Sequence, residues 1–491
     1  MKHMFLEKMH GCMGVVATGT LLLASCTISY DPETFDPGVS NTTLKSPEVT
    51  VASNPDGSKS VLTWPVVYGA GGIKISLYNV DDANNPIPVV VDTIIDGSTA
   101  ELPRQEDTYY KLVVQSLGNT KYNNKDSETA EITFSSWVPK INETTLPAGT
   151  DLYQWFTDNA SLVESQTEEF SVELQAGAEY TMSQPITLGS VPFVLYANSK
   201  TTNATIKMGK TASIITEAGV KLKFLTFDCT EMTDKSTSII ALKKEPTIEK
   251  VAASSNPSWN LAATQPIVLN HVYTKGLQSH LIWSNNVCWT VNTILLRNCI
   301  IGLDQKAQKA NGGNSIDMSY GFVYNLTVEN STVYSTTSLS SSENGAFFVT
   351  CSNRPQQYLN GAFPTSQYEY LNTTWYNISK AASGKNVAMF SYGRLKGQSC
   401  HTTIVKNNIF FDCSSNRVVR LGIMQGQNGG MKSEFANNCY WYNGADTGSA
   451  DWDKKDRVSF DPQLTQTAEG YFTVGGAEVK AAKCGDPRGL E

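Results

Sequence analysis

Arg297 and Lys406 are the residues whose type and spacing come nearest to a catalytic pattern. Each lies between an apolar residue and an Asn in a short motif that recurs along the chain. A basic side chain at such a position could act as the general base of a polysaccharide lyase. The alternative is a solvent-exposed ladder of charges, in which each ion pair contributes little stability. We favour the ladder and keep the base as the second interpretation.

The acidic residues and the histidines do not add a catalytic centre. Glycoside hydrolases need two carboxylates flanking one bond, and Ca²⁺ needs several oxygen ligands. The carboxylates between residues 260 and 440 are instead dispersed: Asp304, Asp317, Glu329, Glu343, Glu369, Asp412 and Glu434. We interpret the isolated His271, His280 and His401 as structural. No cofactor is expected, and Ca²⁺ only if the chain is a lyase.

Binding a sugar requires fewer specialised side chains than cleaving one. An aromatic ring can cover the apolar face of a pyranose, and Arg can pair with a uronate carboxylate. The predicted ligand-binding residues are Arg354, Tyr358, Tyr368 and Tyr370 in one loop region, and Trp441 and Trp452 nearer the C-terminus. Strand alternation leaves Trp441 outside if Tyr440 and Tyr442 point inward.

The overall composition excludes several classes of protein. The chain has 491 residues, of which 17% are charged, and a formal net charge of −8. Such a low charged share argues against a disordered chain or a coiled coil. Without a basic run, an acidic chain is a poor ligand for nucleic acid, so we expect no nucleic-acid partner. The cysteines form no C-x-x-C pair, which argues against zinc, and we expect Cys299 and Cys439 to be buried thiols.

The N-terminus has the features of a signal sequence that directs a protein to the cell envelope. Residues 1–25 have a basic start, a short apolar run and small residues before Cys26, as in a secretory signal. Leu23-Ala24-Ser25-Cys26 resembles a bacterial lipobox, which implies that Cys26 is lipidated. Residues 26–45 then form a flexible tether. We expect an outer-membrane protein held by lipid alone, with the cell surface favoured over the periplasmic face.

Residues 46–136 predict a β-sandwich. Short alternating segments are separated by turn residues such as Asn54-Pro55-Asp56-Gly57, and seven or so strands are expected. The candidate strands are Glu48–Ala52, Lys59–Trp64, Ile73–Asn79, Val89–Ile94, Thr108–Ser116 and Glu128–Phe134. Leu62-x-Trp64 and Tyr110-x-Leu112-x-Val114 resemble the buried Trp and the tyrosine corner of fibronectin type III modules. Such modules usually serve as spacers.

A repeat fills residues 140–491. The pattern apolar-x-Asn-x-x-apolar recurs with its third position at 298, 330, 373, 407 and 437. Repeats of this length are typical of solenoids, in which an Asn at the same corner of each coil can bond its neighbour. An amphipathic helix at Asp151–Asn159, with Leu152, Trp155 and Phe156 on its apolar face, would cap the open end. The longest interval predicts a protruding loop within Ser338–Tyr370.

These features together resemble a family of Bacteroidetes lipoproteins. The resemblance includes the lipobox, the sandwich, the Asn-marked coils and the closing segments Phe460-Asp-Pro-Gln-Leu and Gly485-Asp-Pro-Arg-Gly. It implies an all-β protein: a fibronectin-like sandwich, then a capped, right-handed, pectate-lyase-like parallel β-helix built of two adjoining domains of unknown function. It also implies a place in a polysaccharide-utilisation system, with an outer-membrane glycan-uptake complex as partner.

The function expected from all of this is polysaccharide binding, with a pectin-like or other acidic or complex glycan as ligand. One alternative is a β-helix lyase or hydrolase with a non-standard site, because the Asn-Thr-Asp, Gly-His-Gly and Arg-x-Pro-x-x-Arg patterns of pectin-degrading enzymes are absent. The other alternative is a structural or adhesive component without affinity for glycans.

Overall fold

The chain forms two compact units, residues 1–137 and 138–491, in a computed structural model. The structure describes residues 38–54, 58–142, 144–251, 258–261, 265–339, 347–351, 365–380, 389–391, 401–413, 424–425, 432–447 and 456–491. Cys26, Arg354, Tyr358 and Trp452 lie outside these ranges. No helix among the described residues is long and apolar enough to cross a membrane.

The first unit is a sandwich of two antiparallel sheets. One sheet has three strands, Thr50–Ser53, Lys59–Thr63 and Thr99–Pro103. The other has four, in the order Ile87–Ile95, Gly72–Asn79, Tyr109–Leu117 and Ala130–Ser135, and a 3-10 turn lies at Thr120–Tyr122. Six of the seven strands match the predicted segments within a few residues. Thr99–Pro103 is the strand that the sequence analysis missed.

The sandwich core contains the predicted Trp and Tyr. Trp64 is buried, and its indole Nε1 donates to the carbonyl of Gly97 at 3.0 Å. The hydroxyl of buried Tyr110 accepts a hydrogen bond from the backbone N–H of Gln105 at 2.6 Å, which is the geometry of a tyrosine corner.

A pair of short helices lies against the start of the second unit. Leu152–Asp158 begins at Asp151, whose carboxylate accepts from the N–H of Tyr153, and Ala160–Glu164 follows. Phe156 is buried and packs edge-on against Phe193 at 5.5 Å between ring centroids. The first helix matches the predicted cap.

The rest of the second unit is a parallel β-helix, as expected. Nine coils can be traced through the described residues. Each contributes strands to sheets A and B, and coils 1 to 8 also contribute a strand to sheet C, in the chain order A, B, C. Sheet A contains Phe170–Leu174, Phe193–Ala197, the first halves of Val220–Asp228 and Ile267–Leu277, Trp289–Arg297, Phe322–Glu329, Ser366–Leu371, His401–Lys406 and Lys432–Ala436. Sheet B contains Glu179–Met182, Ala204–Met208, the second halves of Val220–Asp228 and Ile267–Leu277, Ile300–Leu303, Thr332–Ser335, Thr374–Tyr376, Ile409–Phe411 and Asn438–Tyr442. Sheet C contains Ile186–Thr187, Ile214–Thr216, Ser238–Leu242, His280–Trp283, Ile316–Met318, Val349–Cys351, Phe390–Ser391 and Met424–Gln425.

Shorter elements complete the second unit. The helix Gln305–Ala310 lies between sheets B and C of coil 5, the coil that begins with the strand Trp289–Arg297. The other elements are the strands Lys250–Val251, Ser258–Leu261, Ala445–Asp446 and Arg457–Val458, the hairpin Leu464–Gln466 with Phe472–Val474, the helix Ala477–Ala481 and the 3-10 turn Pro487–Gly489.

Stacked aromatic side chains fill the interior of the upper coils. In sheet B, Trp375, Phe410 and Tyr440 occupy one inward column and lie parallel, with ring centroids 6.2 and 5.2 Å apart. Since each coil places an apolar side chain above the last, burial itself favours this register.

An asparagine ladder marks the corner between sheets A and B. The Nδ2 groups of Asn372, Asn407 and Asn437 each donate to the side-chain oxygen of the Asn one coil earlier, at 3.1, 2.9 and 3.0 Å. Asn298, Asn330 and these three residues all have φ between 47° and 58°, a left-handed conformation that Asn tolerates better than most residues. The predicted marker at 373 is wrong by one residue, because Thr373 is buried beside the corner and Asn372 occupies it.

Aromatic rings take the same corner in earlier coils. Phe224 and His271 precede Asn298 in register and also have positive φ, and their rings stack at 5.0 Å. Ring stacking therefore replaces amide bonding at the start of the column, and His271 has the structural role expected for it.

A C-terminal strap, residues 482–488, runs along this corner from coil 9 back to coil 5. The carbonyl of Ala482 accepts from Asn437, and the N–H of Gly485 donates to the carbonyl of Asn407. The buried carboxylate of Asp486 accepts from Thr332 at 2.7 Å. Arg488 donates to the carbonyl of Cys299 at 2.8 Å. The strap thereby joins coils that are far apart in the stack.

Replacing Asn407 tests whether the ladder stabilises the solenoid. Asn407→Leu should lower the free energy of unfolding by about 1–3 kcal/mol, because it removes buried amide bonds and strains a left-handed residue. Asn407→Gly keeps the backbone relaxed and should cost less than Leu. Exposed Asn443, with φ 49°, lies outside the ladder, so Asn443→Leu is a control for the strain of a left-handed residue and for the loss of one hydrogen bond, here with Tyr442. Equal losses for Asn407→Leu and Asn443→Leu in urea unfolding would contradict a stabilising ladder.

Candidate functional site

Sheet C differs from the other sheets in the segments that border it. In coils 5 to 8 the corner between sheets A and B has two residues. The connections from sheet B to sheet C are much longer, at 304–315, 336–348, 377–389 and 412–423. Those from sheet C to the next sheet A are 319–321, 352–365, 392–400 and 426–431. Sheet C is thus the sheet whose strands are joined to the rest of the coil by the longer connections, and its outer face is our candidate site.

The outward column of sheet C carries polar and aromatic side chains. Ala241, Trp283, Asp317, Thr350 and Ser391 follow one another in register. Trp283 is partly exposed, whereas Asp317 is 6% exposed. The column therefore offers an aromatic surface beside a nearly buried carboxylate.

Asp317 joins the two edges of coil 5. One carboxylate oxygen accepts from Nδ2 of Asn314 at 2.7 Å, on the side of the helix Gln305–Ala310. The other accepts from the N–H of Ser319 at 3.0 Å and from its hydroxyl at 2.5 Å, on the opposite side. The carboxylate is satisfied by donors from both connections, so it holds them in position.

His280 lies beneath this network. Its Nδ1 is 2.7 Å from the carbonyl of Asn314 and 3.9 Å from Asp317, and its ring is parallel to that of Trp283 at 5.1 Å. Burial lowers the pKa of His280, and the Asp317 carboxylate partly opposes that shift. A neutral imidazole that donates from Nδ1 supports Trp283 from below.

The two candidate bases lie on sheet A instead. Nε of Arg297 is 2.5 Å from Glu329, and Nζ of Lys406 is 2.7 Å from Glu434. Both basic groups are therefore held in exposed ion pairs, as the ladder interpretation requires. In this outward column the residue between Glu329 and Lys406 is Leu371, so the ladder of charges is interrupted by an apolar residue.

Tyr368 and Tyr370 cannot bind a ligand from solvent, and their prediction as contact residues is wrong. Both side chains are fully buried inside the coil, and the hydroxyl of Tyr368 donates to the carbonyl of Val323 at 2.6 Å. Alternation along Ser366–Leu371 turns them inward, where large rings fill the core. The predicted loop is also divided by the strand Val349–Cys351, and Arg354 and Tyr358 belong to the segment that follows it.

Trp441 has the predicted orientation. It is partly exposed between buried Tyr440 and Tyr442, on the outer face of sheet B. It follows Tyr334, Tyr376 and Phe411 in an outward aromatic column. Phe472 of the C-terminal hairpin stacks on Tyr376 at 4.5 Å and so covers part of this column. A role of Trp441 in ligand binding stays a prediction, and Trp452 lies outside the described residues.

The buried thiols and histidines have structural surroundings. Cys299 and Cys439 are fully buried free thiols in neighbouring columns, and burial raises the pKa of Cys299 to about 12. Burial lowers the pKa of His401 to about 3, and its ring nitrogens contact the hydroxyls of Ser366 and Thr403. Within the described ranges, no group of three His, Cys, Asp or Glu side chains could hold a metal ion.

Three family models match successive parts of the chain, and all describe domains of unknown function. DUF4992 matches residues 1–220, DUF4957 matches residues 178–336 and DUF5123 matches residues 370–488. The first match includes both the sandwich and the first coils, so the boundary between the compact units is not a boundary between these families.

Solved structures with some similarity to this chain are pectin-degrading enzymes. A pectate lyase from Erwinia chrysanthemi in complex with tetragalacturonic acid has 9% identity, covers 80% of this chain and 99% of its own, and gives a TM-score of 0.14. A pectate lyase from Pectobacterium carotovorum has 8% identity, coverage of 79% and 100%, and a TM-score of 0.15. A family 28 exopolygalacturonase from Yersinia enterocolitica has 10% identity, coverage of 84% and 88%, and a TM-score of 0.16. A comparison with curated proteins found no match.

The buried His401 predicts a pH dependence of stability. Its folded pKa of about 3 lies below the unfolded value of about 6.5, so the unfolded chain binds the proton first as the pH falls. This residue should lower the free energy of unfolding by about 1–2 kcal/mol between pH 7 and pH 5. His401→Gln, which keeps hydrogen-bonding groups near Ser366 and Thr403, should flatten that slope in parallel urea titrations. An unchanged slope would show that His401 titrates normally in the folded protein.

Proposed function

We propose that this chain is a cell-envelope lipoprotein of a glycan-utilisation system, and that its solenoid binds an acidic polysaccharide along sheet C. The observation that carries the proposal is the charge of the segments bordering that sheet. In coils 5 to 8 they contain nine Lys or Arg and three Asp or Glu, a net charge of +6 in a chain of net charge −8.

The basic residues are spread along both edges of sheet C in the sequence. They are Lys306, Lys309, Arg354, Lys380, Lys385, Arg394, Lys396, Arg417 and Arg420. Of these, Lys306, Lys309 and Lys380 belong to the described residues. Several cations in successive segments of the sequence fit the repeating charge of a polyuronate or a sulfated polymer better than the single charge of a small ligand.

The acidic residues in these segments are already engaged where the structure describes them. The Asp304 carboxylate accepts from the N–H of Ala307 and from the Thr337 hydroxyl, so it caps the helix Gln305–Ala310. Asp412 pairs with Lys380 at 2.6 Å. These two carboxylates are therefore bound within the protein, and Lys306 and Lys309 are the described cations of these segments that are left without an acidic partner.

Gel retardation separates the three functions considered for this chain. The protein should migrate more slowly in native gels containing polygalacturonate or dextran sulfate than in gels containing dextran, and salt should reduce the retardation. Polygalacturonate is the first probe because the similar Erwinia lyase was solved with tetragalacturonic acid. Unsaturated sugar ends in the same incubation would favour the lyase alternative. Equal migration in all gels would contradict binding and leave the structural alternative.

The anchor part of the proposal depends on Cys26. A lipidated protein is expected in the outer-membrane fraction and in the detergent phase after partitioning. Cys26→Ala should remove the acyl chains and move the protein to the aqueous phase. Cys26→Ser is a second variant that also lacks the thiol. If both variants still enter the detergent phase, the anchor is not at Cys26.

A further inference from the structure

The outer face of sheet C in coils 5 to 8 is the proposed groove. In coil 5 the structure describes the connections on both sides of the sheet C strand completely. The strand Ile316–Met318 lies between the connection 304–315 and the turn 319–321. One edge presents cations and the other presents an aromatic ring. We infer that coil 5 is a subsite for one anionic sugar residue, an inference that rests on the polysaccharide-binding function proposed above.

The cationic edge is the helix Gln305–Ala310. Gln305 and Gln308 are fully buried, and Nε2 of Gln308 donates to the carbonyl of Ser279 at 2.6 Å, which fixes the inner side of the helix. Lys306 is exposed and Lys309 is partly exposed, three residues apart on one side of the helix. Neither ammonium group is in an ion pair within the described residues, so both are available to a carboxylate or a sulfate.

The aromatic edge is the turn 319–321. Tyr320 is 50% exposed although the turn around it is tightly held. The N–H of Gly321 donates to the carbonyl of Met318 at 2.9 Å, and a Cβ at Gly321 would come within 2.2 Å of the Trp289 carbonyl oxygen. An exposed ring on a fixed turn loses little conformational freedom on binding, which favours its use as a stacking surface.

Asp317 sets the geometry between these two edges. Because its carboxylate bonds both Asn314 and Ser319, the helix side and the Tyr320 side are coupled through one residue. Partly exposed Trp283 neighbours Asp317 on the floor of the groove. Asp317 is therefore a positioning residue, whereas Tyr320, Trp283, Lys306 and Lys309 would touch the sugar.

Matched substitutions test this subsite in the full-length protein by isothermal titration with polygalacturonate, dextran sulfate and dextran. Tyr320→Ala should weaken binding of the anionic polymers roughly three- to tenfold. Phe460→Ala is its control, because Phe460 is also 50% exposed but lies away from sheet C in sequence and topology. The double variant Lys306→Ala/Lys309→Ala should weaken binding about fivefold or more at low salt. Its control is Lys207→Ala/Lys406→Ala, which removes the same charge from ion pairs on the other two sheets.

The outcomes separate this inference from the function that it rests on. If the unmodified protein binds none of the polymers, the proposed function fails and the subsite fails with it. If the unmodified protein binds an anionic polymer and both groove variants bind it as tightly as their controls do, only the subsite is wrong. A preference for polygalacturonate over dextran sulfate assigns the anion as a carboxylate, and the reverse preference assigns it as a sulfate.

Discussion

The two-residue corner between sheets A and B is the constraint on which the solenoid depends. Coils 3 to 9 turn there through a residue with positive φ, and from coil 5 onward Asn satisfies this backbone; in coils 7 to 9 its amide also bonds the Asn of the coil before. The C-terminal strap then occupies the same corner, where Asp486 and Arg488 bond several coils at once. In coils 5 to 8, where the strap closes this side, the longer connections all lie at the edges of sheet C. The position of the candidate groove therefore follows from the position of the ladder.

The features of the fold that require a particular residue type at a particular position could be predicted from sequence. A left-handed corner favours Asn, so the recurring Asn residues predicted the ladder. The alternation of side chains along the strand correctly predicted that Trp441 points outward. The marker at Thr373 was wrong because Asn372 and Thr373 are both small polar residues, and only the register of the strands separates them. Tyr368 and Tyr370 were misassigned because an aromatic residue in a strand carries no sign of which face is the core until the neighbouring coil is placed.

The candidate groove itself could not be found from sequence by the same means. The strands of sheet C have two to five residues, too few for an alternating pattern, so Trp283 and Asp317 had no periodicity to reveal them. His280 was correctly interpreted as structural, but its partner Asp317 is 37 residues away in the chain and is brought close only by coil stacking. The net charge of the whole chain is negative, and it hides the positive net charge of the segments that connect sheet C to the other sheets. These segments can be recognised only once the order of the strands is known.

The ladder and the strap lie at the corner between sheets A and B, away from sheet C, which is the face proposed to bind a polysaccharide. The ladder and strap join coils through bonds that recur from one coil to the next, so the height of each coil above its neighbour is fixed near 4.8 Å. Lys306 and Lys309 are carried on coil 5 of this rigid stack. Tyr320 and Asp317 extend the same rigidity into the groove, because a three-residue turn and a bridging carboxylate leave the edges of coil 5 little freedom to move. Under the proposed function, such a rigid coil would meet an anionic polymer in a fixed geometry, so that the cost of ordering the protein at each contact is small.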